Sequence, residues 1–265
     1  MPLPPPLAVA VSDSHCHLDL MDVGVAEALA QARAVGVSTV VSVGVDLPTS
    51  RWQAEVAARE PDVWAAVAIH PNEAGAGAAG DEVLREIESL AGLPHVRAVG
   101  ETGLDHFRTE TAAGHALQEL SFRAHLQIAK ATGKALMIHD RDAHEDVLRV
   151  LAEEGAPEVV VFHAFSGGDT LARRCADAGY HCSFAGNSTF KNAADLRAAA
   201  AVLPAELLLV ETDAPFLTPV PFRGRPNGPH LIPLTMRVLA ETRGADLDEL
   251  CAQVRTNAER VFGPF

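Results

Sequence analysis

The chain has 265 residues, of which 48% are hydrophobic and only 5% aromatic, and its formal charge is -14. That length suits one α/β barrel or two smaller domains, and the acidity excludes a broad, nonspecific grip on nucleic acid while permitting a small cleft whose field is set by bound cations. No apolar run is long enough to cross a bilayer, the proline-rich lead-in over residues 1–6 lacks the basic and apolar regions of a signal peptide, and Cys16, Cys175, Cys182 and Cys251, without a CxxC pair, read as reduced thiols of a cytoplasmic protein.

In chain order, Leu7 to Val11 reads as a strand that ends in Ser12-Asp13-Ser14-His15-Cys16-His17, and Asp22 to Ala34 as a helix with Val25, Ala28, Leu29 and Ala32 on its apolar face. Val37 to Val43 is a strand of nearly unbroken β-branched character, the kind that helices cover. Pro48 to Arg59 predicts a helix, Val63 to Ile69 a strand, Asp81 to Leu90 a helix, and Val96 to Val99 a strand followed by Gly-Glu. The alternation continues with a helix at Leu117 to Ala129, a strand at Ala135 to Ile138, a helix at Ala143 to Ala152 and a strand at Val159 to Phe162. After it come a helix at Asp169 to Ala178, a less typical strand at Tyr180 to Phe184, a short helix at Asp195 to Ala201 and a strand at Leu207 to Val210. Ile232 to Glu241 and Leu247 to Phe262 supply the closing helices.

Eight strands, each followed by helical sequence, predict a (β/α)8 barrel of the TIM type, α/β in class, as a single domain over residues 7–263. The unusual residues support this, because His17, His70, Glu101, His139, His163 and Asp213 each follow the end of a strand, where barrel enzymes keep their catalytic groups. An open doubly wound sheet would also gather ligands at strand ends. No GxGxxG or GxxxxGK[ST] spacing supports that alternative.

Four imidazoles and two carboxylates, His15, His17, His139, His163, Glu101 and Asp213, make a ligand set for two divalent ions. Alternation along a strand lets His15 and His17 share one ion, while Cys16 between them faces the other way. The expected partition gives His15, His17 and Asp213 to one ion, His139 and His163 to the other, and Glu101 to both. Mixed nitrogen and oxygen donors suit Zn²⁺, Mn²⁺, Fe²⁺, Co²⁺ or Ni²⁺ better than a pure oxygen shell would. The lysines, Lys130, Lys134 and Lys191, all lie away from strand ends, so a bridging carboxylated lysine has no source. Two such ions activate a water and clamp the oxygens of a group undergoing displacement, with Asp213 placed to orient that water and accept its proton.

His70, in Ile69-His70-Pro71, is expected to be a donor to a substrate oxygen rather than a ligand, or else a cap on the strand end. Arg141 reads either as a contact to an anionic substrate or as a salt-bridge partner of Asp140, Asp142 or Glu145. Arg223 and Arg225, in the last strand-to-helix loop of an acidic chain, point to a phosphate contact or to a solvated loop. Gly103 in Glu101-Thr102-Gly103-Leu104-Asp105 is expected to permit a tight turn under the carboxylate, with Asp105 orienting a ligand histidine.

The stretches DSHCHLD (13–19), IHP (69–71), GETGLD (100–105), IHDRDA (138–143), HAFSG (163–167), TFKNA (189–193) and ETDAP (211–215), in this order across nearly the whole chain, resemble the TatD family of metal-dependent deoxyribonucleases within the amidohydrolase-like superfamily. The resemblance implies a barrel hydrolase with a two-metal site held by His15, His17, Glu101, His139, His163 and Asp213, and His70 as a non-ligand histidine near the scissile phosphate. It further implies 3'-to-5' exonuclease or DNA phosphodiesterase activity, a cytoplasmic location, and turnover supported by Mg²⁺ or Mn²⁺ even where a softer ion is bound on purification. One departure is visible: where the family commonly carries arginine-asparagine-glutamate-proline, this chain has Arg225-Pro226-Asn227-Gly228-Pro229.

The leading expectation is therefore a metal-dependent phosphodiester hydrolase acting on DNA ends or single strands. Its acidic surface should hold them weakly and briefly, and the chain should work as a monomer without a membrane or an obligate protein partner. The alternative is an amidohydrolase or esterase of the same superfamily acting on a small cyclic amide, lactone or ester, which would have little use for Arg223 and Arg225. A noncatalytic binding protein leaves the six strand-end ligands without a purpose.

Overall fold

The computed structural model describes residues 2–263. In chain order its elements are β1 (Val11–Cys16), α1 (Val25–Ala34), β2 (Val37–Val43), α2 (Leu47–Ala57), β3 (Val63–Val67), α3 (Pro71–Gly75), α4 (Asp81–Ala91), β4 (Val96–Asp105), α5 (Ala112–Thr132), β5 (Ala135–Arg141) and α6 (His144–Glu154). They continue with β6 (Val160–Phe162), α7 (Asp169–Asp177), β7 (His181–Phe184), α8 (Ala194–Val202), β8 (Leu208–Val210), α9 (Ile232–Arg243) and α10 (Leu247–Phe262). The strands form one eight-stranded sheet in the order β1 to β8, and Cys16 at the end of β1 bridges Ala214 in parallel just past β8. Strands in chain order with the last returned to the first are the arrangement of a closed (β/α)8 barrel. A doubly wound sheet would have reversed direction from an inner strand.

The chain divides into two compact units, one comprising the residues up to Ser42 and from Ala164 onward, the other Val43–His163. In the first unit, β1 is wholly buried although its sequence includes Ser12, Asp13, Ser14 and His15. A buried polar strand is stable when its groups are paired, and here they are: the Ser14 hydroxyl lies 2.8 Å from that of Ser183 and donates to the Val210 carbonyl at 3.0 Å. The Asp13 carboxyl accepts the Thr212 N–H at 2.9 Å. This corrects the expected strand at Leu7 to Val11. Leu7 is only anchored, through its N–H to the Val35 carbonyl at 3.0 Å, and the strand proper starts where the expected one ended. All four cysteines are buried and unpaired.

In the second unit, α5 starts at the Thr111 cap, whose hydroxyl accepts the Gly114 N–H at 3.1 Å, and stops at Gly133, whose φ of 65° continues no helix. Phe122 and Leu126 from α5 and Val147, Val150 and Leu151 from α6 are buried within this unit, as are Leu136, Met137 and Ile138 of β5, each such side chain contributing about 1.5–3 kcal/mol of transfer free energy.

Two further differences bear on the site. β4 runs on through Asp105 instead of stopping at Val99, and β5 runs on through Arg141 instead of Ile138, with Gly103 opposite His139 and Asp105 opposite Arg141. Gly103 is thus a strand residue and not the turn expected of it. Its φ is 137°, and a Cβ there would lie 2.1 Å from the His139 carbonyl oxygen. The short helix α3, directly after His70, has no counterpart among the expected elements.

Candidate metal centre

The first unit brings His15, His17 and Asp213 together. His15 lies in β1, His17 two residues on, and the backbone at both positions is stitched to the stretch after β8: Asp213 N–H donates to the His15 carbonyl at 2.9 Å and His17 N–H to the Ala214 carbonyl at 2.8 Å. The two Nε2 atoms are 3.3 Å apart and lie 3.7 and 3.5 Å from Asp213 Oδ1. Asp213 adopts φ 52°, a left-handed conformation uncommon outside glycine, asparagine and aspartate, which turns its carboxylate toward the histidines.

Asp13, which composition and spacing left without a role, fixes this arrangement. Its carboxyl accepts from the Thr212 N–H and hydroxyl and from the His15 N–H, so it joins the residues flanking both ligand segments. Burial pushes its pKa up to about 8, against the opposing Thr212 and His15 hydrogen bonds and with a further push from the Glu211 charge. Asn227 completes the frame, donating to the carbonyls of Thr212 and Phe216 from within the loop that departs from the family pattern. Between Pro226 and Gly228, Asn227 thus ties this loop to the segment that carries Asp213.

The second unit holds Glu101, His139, His163 and His70. Glu101 Oε1 lies 2.7 Å from His139 Nδ1, 2.8 Å from His163 Nε2 and 3.3 Å from His70 Nε2. His139 Nδ1 and His163 Nε2 are themselves 3.4 Å apart. Two ring nitrogens so close cannot both carry protons without repulsion, whereas a divalent cation takes both as ligands beside a carboxylate oxygen. The same reasoning applies to the facing Nε2 atoms of His15 and His17, so each unit offers a donor set that fits a divalent ion.

Asp105 stands behind His139 as expected, its Oδ2 lying 3.2 Å from Nε2. An imidazole held by a carboxylate on one nitrogen presents the other in a fixed direction. Burial pushes the Asp105 pKa up, but the His139 hydrogen bond, the Arg108 N–H and the neighbouring positive charges outweigh it and bring the group down to about 2. For His139, burial opposes the charged form, yet the hydrogen bonds to Asp105 and Glu101 prevail and raise its pKa.

His70 is held differently from these candidate ligands. Its Nδ1 accepts the Asn72 N–H at 3.1 Å as the N-cap of α3. With Nδ1 accepting, the neutral tautomer carries its proton on Nε2, the nitrogen that faces Glu101, although His70, Glu101 and His139 are also close enough to hold an ion together. The capping role expected of His70 is thus seen on Nδ1, at the start of α3, while Nε2 lies 3.3 Å from Glu101 Oε1. His125 was also invisible in the sequence: buried in α5, it accepts the Ile69 N–H on Nε2 at 3.0 Å.

Arg141 forms no ion pair with Asp140, Asp142 or Glu145; its guanidinium lies 4.0 Å over the Phe107 ring. Arg223 lies over Phe190 at 4.1 Å. With Arg225, Asn227, His230 and Phe222 it lines a cavity of about 580 Å³ in the first unit, which Asp22 and Glu27 also border.

A (β/α)8 fold with imidazole and carboxylate clusters at its strand ends defines a metal-dependent hydrolase. The chain matches the family model of TatD related DNase over residues 12–263, and it belongs to the TatD family of metal-dependent hydrolases in the amidohydrolase-like superfamily. It is 45% identical over 233 residues to an uncharacterized metal-dependent hydrolase, TatD, of Mycobacterium tuberculosis, covering 87% of this chain and 88% of that one. It is 36% identical to the uncharacterized metal-dependent hydrolase YabD of Bacillus subtilis, covering 87% and 89% of the two chains. Among solved structures, the TatD homolog YjjV of Escherichia coli superposes with a TM-score of 0.89 at 28% identity, over 96% of this chain and 98% of that one. No helix among the described residues is long and apolar enough to cross a membrane.

Proposed function

We propose that this protein is a divalent-metal phosphodiester hydrolase that trims DNA ends with 3'-to-5' exonuclease character, acting as a cytoplasmic monomer on weakly held strands. The observation that carries the reading is the convergence of three imidazoles on Glu101 Oε1, within 3.3 Å, in a member of a family described by DNase activity.

In this reading His15, His17 and Asp213 would hold one ion and His139 and His163 the other, with Glu101 as a shared ligand. The bound ions would supply an activated water and neutralise charge on the phosphate. The donor set favours Zn²⁺, Mn²⁺, Fe²⁺, Co²⁺ or Ni²⁺ on purification, with Mg²⁺ or Mn²⁺ supporting turnover.

The chain's own groups do the rest. Asp213 orients the attacking water and takes its proton, and His70 Nε2–H donates to a phosphate oxygen. Arg141, Arg223 and Arg225 meet the phosphates of the strand. Hydrolysis of a small cyclic amide, lactone or ester would use the same clusters but would leave these three cations without an anionic partner.

The deciding experiment strips the protein of metal, reconstitutes it, and offers end-labelled single- and double-stranded DNA beside bis-nitrophenyl phosphate and simple esters. Metal-dependent release of mononucleotides from the 3' end supports the reading. Turnover of esters or cyclic amides with no phosphodiester cleavage overturns it in favour of the alternative.

A further inference from the structure

The second unit carries an exposed aromatic side chain beside its metal ligands. Phe107 lies two residues past the end of β4, and 56% of it is open to solvent. Leaving more than half of so large a ring exposed forgoes about 1–2 kcal/mol of burial, yet the backbone under it is tightly held. Asp105 Oδ1 accepts the N–H groups of Phe107 at 3.0 Å and Arg108 at 2.7 Å, and the Arg141 carbonyl accepts the His106 N–H at 3.0 Å. The Asp105 carboxylate that orients His139 through Oδ2 thus also fixes the turn from which Phe107 projects.

Arg141 completes the arrangement. It is two residues beyond His139 on β5, so alternation places both side chains on the same side of the strand. Its guanidinium covers one face of the Phe107 ring at 4.0 Å. Among the described residues no carboxylate forms an ion pair with it, although the chain contains 35 Asp and Glu residues. The residue before Phe107, His106, stacks its ring on that of His115, with centroids 4.0 Å apart and planes 26° apart.

A ring with a cation on one face and more than half of its surface open to solvent suits a ligand that joins a flat π-system to a negative charge. Beside a phosphodiester-hydrolysing centre, that ligand is a nucleotide whose base is not paired. We infer that Phe107 and Arg141 form a stacking platform for an unpaired nucleobase of the DNA end, with the guanidinium meeting the phosphate attached to it. The inference rests on the phosphodiesterase reading above. It deepens that reading by naming the side chains that would take the terminal base, whose face is free only when it is not stacked inside a duplex.

Two measurements test it, the first independent of turnover. In Phe107→Trp the new indole reports stacking directly, with the unmodified protein, which has Trp52 and Trp64, as background. A short single-stranded phosphorothioate oligonucleotide should quench the added fluorescence saturably, and the same backbone lacking bases should not. Equal quenching by the two, or none, overturns the platform whether or not the protein cleaves DNA.

The second measurement is the ratio of kcat/KM for a single-stranded end with bases to that for an end made abasic over its terminal nucleotides. One stacked base should make this ratio about tenfold or more in the unmodified enzyme. Phe107→Ala should bring it to about one, Phe107→Trp should preserve it, and Arg141→Ala should raise KM more than Arg141→Lys does. An unaltered ratio in Phe107→Ala, or a ratio of one at the outset, overturns the inference. Failure of the phosphodiesterase reading shows up differently, as no cleavage of either strand by the unmodified, metal-loaded enzyme.

Discussion

His125 Nε2 accepts the backbone N–H of Ile69 at 3.0 Å, while its Nδ1 lies 2.8 Å from the Ser121 carbonyl. The ring is a neutral clamp between α5 and the end of β3, immediately before His70. Burial lowers its pKa from 6.5 to about 4, the Ser121 carbonyl opposing this only in part. Above pH 6.5 the ring is neutral whether the chain is folded or not, and between 6.5 and about 4 only the unfolded chain takes up the proton. Stability contributed by this group is therefore fully present above the unfolded value and declines as pH falls through that window, by about 3 kcal/mol in total. Urea unfolding of His125→Gln beside the unmodified protein should show a stability gap that narrows as pH drops from 6.5 to 4. A gap of constant size across that range would contradict the clamp.

Removing the Asp105 charge should loosen metal binding without unfolding the chain. Asp105→Asn keeps an oxygen for the Phe107 and Arg108 N–H groups but takes the acceptor away from His139 Nε2. Loss of such an orienting partner costs about 10- to 100-fold in metal affinity. Competition against a chromophoric chelator measures this, and the apo melting temperature should stay close to the original. Unchanged affinity would show that His139 needs no support.

Glu101 and His70 should separate metal binding from turnover. Glu101→Ala removes the oxygen that three imidazoles face, so it should lower tightly bound metal and abolish hydrolysis. His70→Ala should keep its metal content while kcat falls by about a hundredfold, the scale of losing one aimed hydrogen-bond donor. Elemental analysis beside steady-state kinetics reads both, and metal loss in His70→Ala would make it a ligand after all.

Metal uptake at the Glu101 cluster should release protons. His139 has a raised pKa and must be deprotonated to bind an ion. Its affinity for Zn²⁺ or Mn²⁺ should therefore weaken as pH falls below the raised value. Calorimetric titrations in buffers of different ionisation enthalpy will show the released proton as a buffer-dependent heat, and identical heats in all buffers would refute it.

Arg223 and Arg225 should govern salt dependence. Replacing both by Ala removes two cations that line the cavity of the first unit, and the slope of log affinity against log salt for single-stranded DNA should flatten by about 1.4. Filter binding over a salt series measures it, and an unaltered slope would remove both residues from the strand's path.

Candidate ligands were legible in the sequence where a continuous apolar run led up to a histidine, even where, as in β5, the strand runs on past it. Ala135 to Ile138 leads straight to His139, and Val159 to Phe162 to His163, so hydrophobic patterning alone located those two histidines. β1 was misplaced because Ser12, Asp13 and Ser14 are polar yet buried, and their partners Ser183, Val210 and Thr212 are about 170 to 200 residues away. No local pattern announces such pairing. β4 was cut short because Gly100 and Gly103 interrupt its β-branched run, although their backbone continues extended beside β5. Asp105 was read correctly as the acceptor behind a site histidine, His139, whereas its hold on Phe107 depends on backbone N–H groups that carry no residue-type signature.

The close approach at Gly103 also bears on how this enzyme could be diversified. With the His139 carbonyl 2.1 Å from where a Cβ would stand, β4 and β5 cannot slip past one another or admit bulk, so the spacing of Glu101, Asp105 and His139 tolerates no substitution at that position. The turn beyond Asp105 has no such constraint on its side chains. New substrate preferences are accordingly to be sought by randomising residues 106–108, with the strand that carries the ligands left untouched.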